Sequence, residues 1–381
     1  RGCLNIIKKD SKSMHIIHVR NELLSALSTV VGVVERRQTL PILSNVFLEA
    51  RESELVVRAT DLEIEMEVST PVQNLKPGKL TAPARKLHDI LRGLPEGAEI
   101  SFESSDESRM TVRSGKSRFA LATLSADEFP SLGGVQAETQ LTLTHKQLRD
   151  LINRVSFAMA QQDVRYYLNG MLLHVGPDWV RAVATDGHRL ALSELPMQTG
   201  IKEEMQLILP RKAVLELARL LDGGDAPVTL GIGGGQIQVQ LTNLRITSKL
   251  IDGRFPDYER VVPESQDRRV EGVRASVRSA LSRAAILSNE KFRGVRLQLE
   301  GDTLRIQTQN PEREEAEEEV EVQLEGEPME IGFNVTYLLD ALDAMTTDNF
   351  VMELRGPDAS GLLFETGETT HSKYVVMPMR L

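Results

Sequence analysis

PARKLHDILRGL, residues 83–94, places apolar side chains at Leu87, Ile90, Leu91 and Leu94, the +4, +7, +8 and +11 positions counted from Pro83. That spacing is one face of an α-helix, and proline suits a first turn whose N–H has no helical acceptor. PRKAVLELARLL, residues 210–221, repeats the offsets with Val214, Leu217, Ala218 and Leu221. NVTYLLDALDAM, residues 334–345, repeats them with Leu338, Ala341, Leu342 and Met345. The three starts lie 127 and then 124 residues apart, so the chain reads as a tandem repeat.

Landmarks on either side keep step. An earlier helix has apolar positions at Leu23, Ala26, Leu27 and Val30, at Leu148, Leu151, Ile152 and Val155, and at Val277, Ala280, Leu281 and Ala284. Leu43, Leu168 and Phe292 each stand 17 residues before Thr60-Asp61, Thr185-Asp186 and Gln309-Asn310. Each later helix leads, after 47, 46 and 44 residues, to the proline of Phe129-Pro130, Phe255-Pro256 and Met377-Pro378. Four landmarks in one order at near-constant spacing make chance a poor explanation.

Between the helices, alternating segments predict strands over 44–49, 54–59, 63–68, 110–112 and 118–124 in the first unit. The second unit offers 171–175, 180–184, 236–241 and 245–250. Alternation of this kind suits sheets with one wet face. The expected fold class is therefore α+β, as three similar domains over 14–135, 141–262 and 263–381, with short linkers near 132–140 and 262–272.

A length of 381 residues calls for two or three domains, and 41% hydrophobic residues supply their cores. No apolar run is long enough to span a bilayer, and residues 1–13 (RGCLNIIKKDSKS) lack the apolar stretch of a signal peptide. Met14 is expected as the natural start, with residues 1–13 an N-terminal extension to which no function is assigned. Its Cys3 is the only cysteine, which excludes a disulfide scaffold or a cysteine-ligated metal and points to a cytoplasmic protein. Lys and Arg number 45 against 55 Asp and Glu, a net charge of −10 that disfavours static grip on nucleic acid. Aromatics at 4% disfavour a base-stacking platform.

Distribution matters more than net charge. Basic residues gather on the helices and their approaches: Arg20, Arg36, Arg37, Arg85, Lys86 and Arg92, then Lys146, Arg149, Arg154, Arg211, Lys212 and Arg219, then Arg274, Arg278, Arg283, Lys291 and Arg293. Asp340 and Asp343 interrupt the pattern on the last helix. The repetition suggests one positive surface in an acidic protein, suited to weak, sequence-blind contact with a polyanion. RSGKSRFAL in the first unit and NPEREEAEEE in the third carry opposite charge. A head-to-tail contact between them would close into a ring or run on as a filament.

Two motifs invite other readings. TDGHRL (residues 185–190) could pair Asp186 with His188 for catalysis, but no activated serine or cysteine completes the set, and Asp-Gly is a hairpin turn. GIGGGQ (residues 231–236) lacks the following Lys-Ser/Thr and helix of a phosphate loop, so it reads as a hairpin. The histidines have no metal-ligand spacing. An Asp186–His188 hydrolase and a static DNA-binding scaffold remain as rival classes.

RYYLNG, VATDGHRLA, SKLIDGRFPDYERV, AILSNEKFRGVRL, NPEREEAEEE, MEIGFNV and YVVMPMRL together resemble the bacterial sliding clamp family, the beta subunits of DNA polymerase III, from Met14 to Leu381. The resemblance implies a non-catalytic homodimer joined head-to-tail into a ring of six domains, helices lining the hole and sheets outside. It implies topological attachment to double-stranded DNA without sequence specificity, no cofactor, and loading by a separate ATP-driven clamp loader. Partners implied are the polymerase alpha subunit, the clamp loader delta subunit, and other polymerases and repair proteins carrying a short hydrophobic motif; no membrane is implied.

Residue by residue, the resemblance implies a partner-peptide pocket of Leu168, Thr185, Gly187, His188, Arg189, Leu190, Pro256, Arg260, Val261, Asn334, Tyr337, Val375, Met377, Pro378, Met379, Arg380 and Leu381. DNA contacts implied are Arg37, Arg85, Gln162, Tyr166, Tyr167 and Lys212. The implied dimer contact has Lys86, Arg113, Lys116, Arg118, Phe119 and Leu121 on one side. The other side has Ile286, Leu287, Glu312, Glu314, Glu315, Glu317 and Glu318.

Overall fold

The computed structural model describes residues 13–35, 40–104, 108–264, 266–367 and 371–380. Expectations for the extension before Ser13, for Arg36 and Arg37, and for Leu381 lie outside the described residues. Six α-helices fall where the periodicity places them: α1 (Arg20–Val30), α2 (Ala84–Gly93), α3 (His145–Asn153), α4 (Arg211–Leu220), α5 (Arg274–Ala284) and α6 (Val335–Ala344). Their buried faces carry the predicted residues, for example Leu23, Ala26, Leu27 and Val30 on α1 and Leu338, Ala341 and Leu342 on α6. No helix among the described residues is long and apolar enough to cross a membrane.

Each repeat holds a three-stranded meander between its two helices. The meanders are Asn45–Ala50, Glu54–Thr60 and Ile64–Pro71; Gly170–Val175, Trp179–Thr185 and Arg189–Pro196; and Gly294–Glu300, Thr303–Gln309 and Glu315–Glu321. The first strand of each also pairs with the strand that runs into the second helix, in one register: Asn45 faces Pro83, Gly170 faces Pro210 and Gly294 faces Asn334. All three of those strands are sheet edges. Proline has no N–H for a further ladder bond, so an edge tolerates it and the chain turns into helix there.

The chain packs as two compact units, one of the residues up to Leu143 with Pro227–Lys249, the other of Thr144–Ala226 with Leu250–Leu381. In the first, one antiparallel sheet runs Gln73–Lys76, Met14–Val19, Glu99–Ser104, Arg109–Ser114, Ser117–Ala122. An eight-stranded sheet joins the first meander to strands of the second repeat, with Leu244–Lys249 paired to Ile64–Pro71. In the second unit, a nine-stranded sheet joins the second meander to the third repeat through Arg189–Pro196 paired to Ser372–Val376. A four-stranded sheet ends at Glu315–Glu321. The sheets thus run across the expected domain borders, because period-2 alternation names the face of a strand and not its neighbour.

Several basic residues assigned to a helix surface are used inside the fold. Arg20 is buried, and its guanidinium donates to the carbonyls of Leu91 (2.7 Å) and Arg92 (2.8 Å) at the end of α2. Arg274 does the same for α6, donating to Leu342 (3.2 Å) and Thr347 (2.7 Å). Helix C-termini leave carbonyls without partners and carry partial negative charge, so a guanidinium there meets both needs. Arg278 pairs with Asp343, and Arg154 pairs with the buried Glu365 at 2.8 Å.

Candidate interaction sites

The Thr185-Asp186 landmark is a side-chain-built turn. Thr185 Oγ1 donates to the Arg189 carbonyl (2.6 Å) and accepts from the Gly187 N–H (3.1 Å). Asp186 Oδ1 accepts from the His188 and Arg189 N–H groups at 2.9 and 3.1 Å. The turn needs a left-handed residue, and Gly187 supplies φ +89°. The first repeat builds the same turn from Thr60 and Asp61, with Leu62 at φ +76°. Asp186 therefore serves the backbone, and its carboxylate turns to Arg189 (3.0 Å) instead of orienting the exposed His188. Beside the turn, Arg165 donates to the Asp186 carbonyl (3.2 Å), and its bond to Asp163 holds that carboxyl down at about 2.

Arg189 fastens this turn to the third repeat. Its guanidinium also donates to Asp340 on α6 (2.5 Å) and to the Phe157 carbonyl (2.7 Å), and lies 4.5 Å from the Tyr337 ring centroid. Asp340, which interrupts the basic helix pattern in the sequence, is thus the acceptor of Arg189. Leu190 faces Val375, and the Met377 N–H donates to the His188 carbonyl at 3.0 Å. Leu190, Val375, Phe255, Tyr258 and Leu362 share one buried cluster, with Val261 packed on it. Above these walls Met377 is 42% exposed, while Pro256 and Arg260 are exposed on the segment that carries Val261.

The remaining expected pocket residues spread outward. The Met379 N–H bonds the Gly332 carbonyl at 2.8 Å, two residues from Asn334, which caps α6 through the Thr336 N–H (2.9 Å). Pro378 is half-buried and Arg380 is exposed. Leu168 is buried in the turn Tyr166–Leu168. Sequence reading misses Asp163, Arg165, Phe157 and Asp340, which hold the seam without lining it; the acidic break at Asp340 was the available signal.

Several expected dimer residues sit on or beside two edge strands. Among the described residues, Ser117–Ala122 and Glu315–Glu321 each have a strand on one side only. Ser117–Ala122 exposes Arg118, half-buries Phe119 and buries Leu121, with Lys116 exposed in the turn before it, while Arg113 lies 3.8 Å from Glu103 on the strands behind. Lys86 is exposed on α2. Ile286 is 77% exposed and lines a concavity of about 460 Å³ with Glu312 and Glu314; Leu287, next to it, is half-buried. The acidic strand is not bare: Arg283 binds Glu318 through two 2.7 Å bonds and holds its carboxyl below the usual range. Glu314, Glu315 and Glu317 accept from Asn310, Gln309 and Gln307 at 2.6, 2.9 and 2.7 Å.

Of the expected DNA contacts, Arg85 donates to the Val34 carbonyl (2.7 Å), tying α2 to the segment after α1. Gln162 is exposed with φ +56°, and Tyr166 is 57% exposed, its ring 5.8 Å from that of Tyr167. Tyr167 packs against the cluster that holds Leu190 and Val375, so its ring borders the seam. Lys212 is half-buried in the first turn of α4.

The fold and these sites define a class first: a thrice-repeated α+β protein whose notable surfaces are two open strand edges and an apolar seam. Family models for the DNA polymerase III beta subunit match throughout, the N-terminal domain at residues 14–133, the central domain at 142–257 and the C-terminal domain at 259–380. A beta sliding clamp of Pseudomonas putida is 50% identical over 369 residues, covering 97% of this chain and 100% of the relative. That of Escherichia coli K12 is 48% identical over 363 residues, covering 95% and 98%. The solved DNA polymerase III beta subunit of Pseudomonas aeruginosa matches with a TM-score of 0.92 at 48% identity, covering 97% and 100%. The chain belongs to the beta sliding clamp family, the sliding clamps of DNA polymerase III. It is accordingly a non-catalytic processivity factor of DNA replication, and the hydrolase reading is set aside.

Proposed function

We propose that two copies join head-to-tail into a closed ring of six domains, built from residues 14–135, 141–262 and 263–381 of each. The ring encircles double-stranded DNA without sequence preference and tethers the polymerase to it. The observation that carries this reading is the pattern of strand edges. Inside the chain, the third meander strand of one repeat pairs with the last strand of the next, twice. The third meander strand of repeat three and the last strand of repeat one are the two left over. Both are open along one side and they carry opposite charge, so a second copy satisfies both edges at once.

The first internal junction also supplies a register. Thr247, 37 residues after Pro210, faces Glu65, the partner of Thr60. Ala120 stands 37 residues after Pro83, and Glu315 is the partner of Gln309. The same rule sets Ala120 opposite Glu315, Phe119 opposite Ala316 and Arg118 opposite Glu317. Directly opposed cysteines on antiparallel strands lie within disulfide reach. In a Cys3→Ser background, Ala120→Cys with Glu315→Cys is expected to oxidise to a covalent dimer on a non-reducing gel. Monomer alone would sink the register, and a ladder of higher multimers would mean an open filament.

A net charge of −10 fits a ring held by topology, since dense phosphate neutralisation would add friction. Tethering raises the local concentration of the polymerase at the primer end. The seam around Thr185–Leu190, Pro256–Val261 and Val375–Met379 is the site for a short hydrophobic motif of the polymerase alpha subunit, the clamp loader delta subunit, other polymerases and repair proteins. Its methionines suit varied apolar side chains, and the turn supplies a few fixed polar groups.

A further inference from the structure

One wall of the seam is a connecting segment, residues 256–262, which carries Pro256, Arg260 and Val261 and pairs with no strand. One buried phenol anchors it to the sheet, beside the Arg181–Glu259 bond and the packing of Val261 and Val262. Tyr258 is 3% exposed, and its oxygen lies 3.1 Å from Arg181 Nη1 and 2.7 Å from His174 Nδ1. His174, Arg181 and Glu194 are cross-strand neighbours on three adjacent strands, and Arg181 donates to Glu194 at 2.6 Å. Arg181 also binds Glu259 on the connecting segment (2.8 Å) and stacks 4.0 Å from the Trp179 ring centroid.

Arginine only donates, so the Tyr258 oxygen accepts from Arg181. The Glu204 carboxylate, 3.2 Å from His174 Nε2, favours the tautomer with its proton on Nε2, and in that tautomer the phenol O–H donates to Nδ1. The relay needs neutral His174, and burial holds its pKa below the ordinary 6.5. The Val261 and Val262 N–H groups return to the Tyr258 carbonyl at 3.0 and 3.3 Å, so the anchored residue also orders the wall that follows it.

We propose that Tyr258, locked by Arg181 and His174, is a positioning residue that sets the placement of the 256–262 wall and thereby the affinity of the seam for its peptide. The inference rests on the reading of the seam as a peptide site. Tyr258→Phe keeps the buried ring and removes only the two phenol bonds. The variant is expected to bind a fluorescein-labelled pentapeptide containing leucine and phenylalanine at least roughly fivefold more weakly, since two net hydrogen bonds are lost. Hydrogen exchange at the Val261 and Val262 amides should quicken in the same variant.

A second readout separates positioning from plain stability. As pH falls below 6.5 and His174 takes up a proton, Nδ1 gains a hydrogen, the phenol can no longer donate to it, and a second cation stands beside Arg181, which weakens the latch. Around the ring stand Tyr258, Arg181, Trp179 and Glu204, with Glu259 beyond Arg181. Wild-type affinity should therefore weaken with falling pH by more than that of Tyr258→Phe, which has no phenol for His174 to hold. Equal peptide affinity of the two proteins, or parallel pH profiles, would overturn the latch while leaving the seam. A wild type that binds no peptide would overturn the seam reading itself.

Discussion

Glu365→Ala is expected to lower the stability of the second unit by about 3–5 kcal/mol, because it leaves a largely buried guanidinium without its carboxylate. The Glu365 side chain has no exposed surface and Arg154 only 20%, with 2.8 Å between them. Its other oxygen accepts from Thr346 Oγ1 (2.9 Å) and from the Thr346 N–H, so truncation also strands a backbone donor. Arg154 lies beyond α3 in the second repeat and Glu365 on a strand of the third, so their bond crosses the internal junction. Urea denaturation should show the midpoint moving down without a large change in slope. Arg154→Met with Glu365→Leu should recover most of the loss, since replacing both members of a buried pair by apolar residues is often near neutral. A single variant as stable as the wild type would mean that the pair is solvated in solution.

Ile286→Ala with Leu287→Ala is expected to convert the proposed dimer to monomers. Ile286 is 77% exposed in the single chain and, with the half-buried Leu287 beside it, offers apolar area for a second copy to cover. Covering it and completing the burial of Leu287 contributes about 3 kcal/mol per contact at roughly 0.8 kcal/mol per buried methylene. A closed ring of two chains contains the contact twice, so about 6 kcal/mol is lost, on the order of a ten-thousandfold in Kd. The ion pairs beside it contribute less, since exposed pairs give about 0–1 kcal/mol each, and Glu318 already has Arg283. Light scattering should report the monomer mass, with far-UV circular dichroism unchanged because neither side chain is core. An unchanged dimer mass would remove these residues from the interface.

Much of the fold was legible because helix periodicity survives in Leu87, Val214 and Leu338 and their counterparts, and because Thr60 and Thr185 build the same turn. Strand pairing was not legible: the alternation in Arg189–Pro196 says which face is wet and nothing of Ser372–Val376, more than 170 residues away. Charge was read too literally for the same reason. Arg20 and Arg274 look like surface on a helix wheel, but they stand where the next helix ends and offers bare carbonyls. Asp340 and Asp343, which interrupt the basic pattern, are the acceptors of Arg189 and Arg278. Ile286 and Met377, named by the resemblance, are exposed apolar side chains; Tyr258, Arg181 and His174 are ordinary in sequence and come together only through packing.

The central claim is topological attachment, and DNA geometry tests it most directly. The protein is loaded by a clamp loader onto nicked circular duplex, freed of unbound protein by gel filtration, and the circle is then cut once. A closed ring held by topology is expected to stay on the intact circle and leave after the cut, at a rate little changed by moderate salt. Retention on the linear product, lost only as salt rises, would mean direct grip on phosphates and would contradict the ring.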